Sequence, residues 1–206
     1  MARRHDDPSI KRRGASRQPK YRILVVCEGK KTEPRYLQQL QHHVRNPRVH
    51  IESLGPAVVP LSVVETAIAE RRLADEEARR QRDENLRWDQ VWAVFDIDDH
   101  PNVAAAKQLA LANDILLAVS NPCFELWAFL HFAEQQGHIE RGKLRAALQE
   151  HLPGYDKELP FARMHAGHGD AVRRATALDD AATRADRAGR NPTTGVYLLT
   201  EAIRLR

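Results

Sequence analysis

Apolar and polar positions along the chain follow two regimes. From residue 21 to about 134, short apolar runs alternate with stretches whose apolar residues recur three and four apart. YRILVVCEG (21–29) is a continuous apolar run closed by an acid and a glycine, the pattern of a buried strand. KTEPRYLQQLQHHV (31–44) predicts a helix: Tyr36, Leu37, Leu40 and Val44 share one stripe, Thr32 stands where an N-cap belongs, and Pro34 is tolerated in the first turn. RVHIESL (48–54) alternates as a short strand does. After Gly55-Pro56, the stretch 61–86 opens amphipathic and ends almost wholly charged, with Asp75/Arg79 and Glu76/Arg80 four apart and acid first. Its second half predicts a solvated helix protruding from the body. VWAVFD (91–96) is a third strand, 102–113 an Ala-rich helix, DILLAVS (114–120) a fourth strand, and 121–134 a helix with Pro122 as its first residue. Beyond Gly137 the pattern predicts only helices, over 140–151, 169–190 and 195–206.

This order predicts an α/β fold: an open, mostly parallel four-stranded sheet with helices on both faces and right-handed crossovers, plus an α-helical C-terminal cap. The division follows: a basic, disordered N-terminal arm (1–20), an α/β domain (21–134) and a helical C-terminal region packed on it (135–206). The 206 residues are 42% hydrophobic, enough for a core without disulfide or metal staples. The net charge of +4 is unevenly placed. Residues 1–22 hold eight Lys/Arg against Asp6 and Asp7, a surplus of six, so the rest of the chain carries −2. The arm either lies on nucleic-acid phosphates or serves as a solubilising tail. Two cysteines, Cys27 and Cys123, both in apolar runs, suggest a reducing, cytoplasmic setting. No signal peptide and no apolar stretch of a membrane span's length are present, so a soluble protein without a membrane partner is expected.

The candidate chemistry sits where strands end. In open α/β sheets ligands bind beyond the carboxyl ends of the strands. Glu28 lies at that end of the first strand, and Asp96 and Asp98 at that end of the third. Carboxylates converging there could not all ionise unaided. A hard divalent cation, Mg²⁺ or Mn²⁺, resolves the conflict through oxygen ligands, and Asp-x-Asp in an extended segment points both acids the same way. Asp99 either touches that metal or caps the helix after Pro101; His100 is adjacent. Ser120 and Asn121 end the fourth strand on the same rim, and Glu125 falls in the first turn of the next helix, where it serves either the helix dipole or a second metal. Lys30 and Lys31 follow Glu28 at a helix entrance, as phosphate contacts or solvated loop residues, and Lys157 is a similar candidate. Phe124 and Trp127 read as core, and His131 as a core histidine or a site residue. MHAGHGD (164–170) reads as a loop, its His165 and His168 three apart but without a cysteine to make a zinc site.

CEG at 27–29 with DID at 96–98 resembles the signature of the Toprim fold, found in topoisomerases, bacterial primases and OLD-family nucleases. VCEGKKTEPRYL (26–37), VWAVFDIDDHP (91–101) and SNPCFELWAFLHF (120–132), with YDK (155–157) and NPTTGVYLL (191–199), resemble the RloB family, a Toprim-like group associated with phage defence. The resemblance spans about 21–200. It implies a Mg²⁺- or Mn²⁺-dependent nuclease cutting RNA or DNA as the toxic effector of an abortive defence system, with Asp96 and Asp98 as metal ligands, Glu28 as a ligand or a proton shuttle, the ligand role favoured, and Glu125 as a further acid. Such effectors are often held by an ATPase partner, and no G-x-x-x-x-G-K-[ST] occurs here, so ATP would be sensed by another protein. The alternative is a non-catalytic nucleotide- or metal-binding, or regulatory, module of a defence complex. A haloacid-dehalogenase-type phosphatase also carries D-x-D after a strand, but there the pair ends the first strand, where this chain has Glu28.

Overall fold

The computed structural model describes residues 21–53, 59–97 and 102–205. Four parallel strands form the centre: β1 (Ile23–Cys27), β2 (Val49–Ser53), β3 (Gln90–Asp96) and β4 (Leu116–Asn121). A fifth, β5 (Thr193–Thr194), pairs antiparallel with β4, giving the order β2-β1-β3-β4-β5. The sheet is therefore five-stranded rather than the four expected. Two threonines after Asn191-Pro192 leave no apolar alternation long enough to signal a strand. Among the described residues no helix is long and apolar enough to cross a membrane.

The side-chain period of two divides each strand between two layers. Leu24 and Val26 of β1, with Val91, Ala93 and Phe95 of β3, face α2 (Pro60–Gln81) and α3 (Val103–Ala112). Val25 and Cys27, with Trp92 and Val94, face the opposite layer. That layer holds α1 (Thr32–His43), α4 (Glu125–Leu130), α5 (Arg141–His151), α6 (Phe161–Met164), α7 (His168–Arg184) and α8 (Val196–Leu205). Its apolar cluster runs from Val25 and Leu37 through Trp127 and Leu148 to Ile203, so the C-terminal helices share the core of the sheet. Each fully buried Leu, Ile or Val in it contributes roughly 1.5–3 kcal/mol.

Several local expectations shift. Thr32 is the first residue of α1 and does not cap it; its hydroxyl donates to the Lys157 carbonyl 3.2 Å away, tying the helix entrance to the C-terminal region. The long second helix stops at Gln81, where Arg82 turns the backbone left-handed (φ 55), and a 3₁₀ turn follows over Glu84–Leu86. Its charged half is not simply solvated: Ala78 is buried, and Asp75 pairs with Arg87 beyond the turn (3.1 Å) instead of with Arg79. Pro122 does not start α4. Asn121 still belongs to β4, 3₁₀-type bonds from Leu126 to Cys123 and Trp127 to Phe124 follow, and the helix begins at Glu125. MHAGHGD is helical: a 3₁₀ turn over His165–Gly167 leads directly into α7. Gly167 is required there, because a Cβ would lie 2.3 Å from the His131 carbonyl oxygen.

Candidate functional site

The order β2-β1-β3-β4 puts β1 beside β3, with Cys27 level with Val94. Pairing continues one residue further, where the Glu28 N–H donates to the Val94 carbonyl at 2.9 Å. The Glu28 side chain then turns across the strand end, and its Oε2 accepts the Asp96 backbone N–H at 3.1 Å. Glu28 and Asp96 are thus brought together by strand register alone. Asp98, Asp99 and His100 lie outside the described residues, as does the basic arm 1–20.

Two carboxylates complete the acidic floor. Glu125, at the start of α4, is 5% exposed at its side chain. Its Oε1 accepts from Arg145 Nε at 2.8 Å and from the Tyr155 hydroxyl at 3.1 Å. Glu33, in the first turn of α1, reaches back over Gly29, where a Cβ would stand 2.2 Å from Glu33 Oε2. Glycine at position 29 therefore leaves the space that the Glu33 carboxylate fills. Above the floor stand Arg141 and Arg145, one turn apart on α5. Arg141 Nη2 donates to Asp96 Oδ2 at 3.0 Å.

The electrostatics differ from acid to acid. Burial pushes the Asp96 pKa well above the carboxylate range, and the charge of Glu33 adds to this while Arg141 opposes it. Glu33 is raised as well, by burial first and then by Glu125 and Glu28. Burial would also raise Glu125, but the Cys123 thiol, Arg145 and its own backbone N–H together hold it below the ordinary value. Of Asp96, Glu33 and Glu125, it is the one built to stay ionised. Both thiols nearby are raised, Cys27 by its burial and Cys123 by burial and the Glu125 charge, so neither supplies a thiolate near neutral pH.

A set of oxygen donors in which two carboxyl groups resist ionising suits a hard divalent cation by its chemistry. Glu28 and Asp96 are the described residues of the expected ligand set that would hold it. Among the described residues, however, no three His, Cys, Asp or Glu side chains are grouped so as to hold a metal ion. Asp96 is engaged by Arg141 and Glu125 by Arg145.

The other sequence candidates fall around this floor. Lys30 and Lys31 are exposed at the entrance of α1. Ser120 is buried and its hydroxyl pairs with that of Thr194 at 2.9 Å, while the Asn121 side-chain N–H donates to the Gly189 carbonyl at 2.9 Å. Both side chains thus anchor β5 and the loop before it. Lys157 is exposed with left-handed backbone (φ 59), its carbonyl taken by Thr32. His131 packs in the core, its Nδ1–H donating to the Trp127 carbonyl at 2.9 Å, and His168 Nε2 is bonded to Glu201 at 2.8 Å.

Sequence reasoning gave no role to Glu33, Arg141, Arg145 or Tyr155. The signal for Glu33 was the glycine four residues before it. For the arginines it was a helix whose first turn carries Arg141 and Lys143 and no acid, against the macrodipole.

A family model for RloB-like proteins matches residues 23–203. No curated protein and no solved structure matches the chain. The matched span begins in β1 and ends in α8, so it takes in both the acidic floor and the arginines above it. The chain belongs to the RloB-like family.

Proposed function

We propose that this chain is a Toprim-type nuclease that hydrolyses phosphodiester bonds in RNA or DNA with Mg²⁺ or Mn²⁺, and that it acts as the toxic effector of an abortive anti-phage system under control of an ATPase partner. The observation that carries the reading is the hydrogen bond between Glu28 and the Asp96 backbone, which joins the acids of two neighbouring parallel strands at their carboxyl ends. The Toprim likeness rests on the same pair, Glu after one strand and Asp-x-Asp after a later one.

Hydrolysis adds water across one P–O bond and leaves a phosphate monoester and a free hydroxyl. The bound cation would polarise the phosphate and lower the pKa of water. Glu28 and Asp96 hold oxygen donors at the strand ends, with Asp98 expected to join them. Glu125, kept ionised by Arg145 and Tyr155, fixes the sign of the potential on the far side of the floor. The arginines of α5 supply the positive charge that a phosphodiester requires next to so many acids.

The test is incubation of the purified protein, alone and with its ATPase partner, with labelled tRNA, single-stranded DNA and duplex DNA in Mg²⁺, Mn²⁺ or EDTA. Cation-dependent cleavage that Asp96→Ala abolishes is the expected result. A second reading, a non-catalytic nucleotide- or metal-binding module, draws on the Arg141–Asp96 and Arg145–Glu125 pairs, which balance part of the acid charge from within the chain. Cation binding without cleavage under every condition would select it.

A further inference from the structure

We infer that the cavity between α1 and the segment joining α5 to α6 binds a nucleoside phosphate, as one unit of a nucleic-acid strand, with the phosphate on Arg35 and Arg163 and the sugar and base on an apolar floor. The inference rests only on the nucleic-acid-binding part of the nuclease reading; it requires neither a cation nor cleavage.

The cavity has the size and the division of a ligand site. It holds about 450 Å³, within the roughly 300–1,000 Å³ usual for ligand pockets. Its inner lining is apolar, with Leu152, Tyr155 and Leu159 all buried. Its rim is charged and exposed, with Arg35 on α1, Arg163 on α6 and Glu158 in the joining segment. The mouth is open at Gly154, where φ is +80 and a Cβ would meet nothing within 4 Å.

The charges suit a phosphodiester. Two guanidinium groups and one carboxylate leave a surplus of +1 at the rim, which the single charge of a diester balances and a triphosphate exceeds. The Arg35–Glu158 pair does not close the cavity. Its side chains are 44% and 68% exposed, so water screens the pair and phosphate competes for Arg35. Arg163 gives one N–H to the His151 carbonyl, 2.9 Å away, which holds the guanidinium group at the rim and leaves the rest of its planar fork for phosphate oxygens. An anion alone would satisfy this rim; only a ligand with an apolar part also covers the floor.

Tyr155 sets the cavity beside the acidic floor. Its ring lines the cavity while its hydroxyl donates to Glu125 at 3.1 Å. Its backbone is held on both sides, the N–H by the Leu152 carbonyl at 3.0 Å and the carbonyl by the Gln149 side chain at 3.3 Å. A strand with one unit seated here lies one aromatic ring away from Glu125.

Binding is measured in EDTA on the full chain, over a range of salt, with short labelled single-stranded RNA and DNA, AMP, ATP and inorganic phosphate as probes. Arg35→Gln and Arg163→Gln should each weaken strand binding about tenfold, the equivalent of one charge-assisted hydrogen bond. Each should also reduce the slope of log affinity against log salt by about 0.7. Arg163→Lys should keep the slope and still lose affinity, because an ammonium group lacks the planar fork. AMP should bind more tightly than inorganic phosphate. Arg173→Gln, on α7 and paired with Asp170 outside the cavity, should leave strand binding unchanged. If Arg163→Gln loses stability, Arg35→Gln at its exposed position carries the test.

Strand binding that is unchanged in both Arg35→Gln and Arg163→Gln overturns the inference and leaves the nuclease reading, which cleavage of the same strands in Mg²⁺ tests separately. ATP binding more tightly than either strand, with the same loss in both variants, overturns the strand as the source and assigns the cavity to a free nucleotide. A full chain that binds none of the probes overturns the inference outright.

Discussion

Helix α4 separates two buried polar clusters that solve the same electrostatic problem in opposite ways. At its first residue Glu125 is buried with a guanidinium group, a phenol and a thiol around it, and its pKa is held low. At the other end, His131 is buried with one hydrogen bond to the Trp127 carbonyl, while among the described residues its Nε2 and the Trp127 Nε1 have no partner. Burial therefore pushes the His131 pKa down to about 4, and the nearby His168 and Arg174 oppose its charge further. The acid end keeps charge inside the protein; the histidine end excludes it. Burial is nearly the same in both, so burial alone distinguishes neither a site from a core nor a charged group from a neutral one. The partners do.

The largest effect should come from the acid end. Glu28→Gln and Asp96→Asn are expected to lower cation-dependent cleavage on the order of 10³-fold, the scale seen when one preorganised electrostatic contact to the reacting group is removed. His131→Leu should leave cleavage within a few-fold. The reverse ranking would mean that the comparison has its functional side wrong.

The histidine end should dominate the acid sensitivity of the fold. A folded pKa of about 4 against an ordinary 6.5 means that neutral His131 stabilises the protein above the unfolded pKa, and that this stability is lost as pH falls from 6.5 through 4. The full loss is about 3 kcal/mol. Urea unfolding at pH 7 and pH 4.5 should show much of it in the unaltered protein, and His131→Leu should flatten that part of the profile.

Breaking the Arg145–Glu125 pair leaves a carboxylate buried with fewer partners. The usual cost for a fully buried pair is 3–5 kcal/mol; since Arg145 is 41% exposed, Arg145→Met should destabilise by only about 2 kcal/mol. Adding Glu125→Gln should recover most of this, and denaturant unfolding of the four proteins in the cycle measures the coupling.

The smallest effect has the opposite sign. Glu33 is raised by burial and by Glu125 and Glu28, so the stability it contributes is present below the unfolded pKa and is lost as pH rises through the folded one. In EDTA at neutral pH, Glu33→Gln should therefore raise the melting temperature, by roughly 2–4 °C for each kcal/mol of strain relieved. In acid the gain should vanish.

The same contrast shows what could be read from the chain beforehand. Strands and helices were legible where periodicity was strong, and the sheet's parallel core followed from their alternation. The positions of Glu28 and Asp96 at the carboxyl ends of their strands were legible too, while the adjacency of those strands came from the sheet order. Thr193–Thr194 was not, since a two-residue strand has no period to detect. Arg145, Tyr155 and Glu33 were obscured for another reason: each reaches the floor from a different element, and only tertiary packing says that α5 and the segment after it cover the strand ends. Thr32 shows the same limit in reverse. Its position suggested a cap, yet a carbonyl 125 residues away claims its hydroxyl. Glu125 and His131 each carried two readings in the sequence, because what separates the readings lies entirely in their neighbours.

The central claim is that Glu28 and Asp96 share one divalent cation, and anomalous diffraction from a crystal equilibrated with Mn²⁺ tests it directly. The account predicts a peak bonded to oxygens of both side chains. A protein shown to bind Mn²⁺ whose peak lies away from both side chains would contradict it.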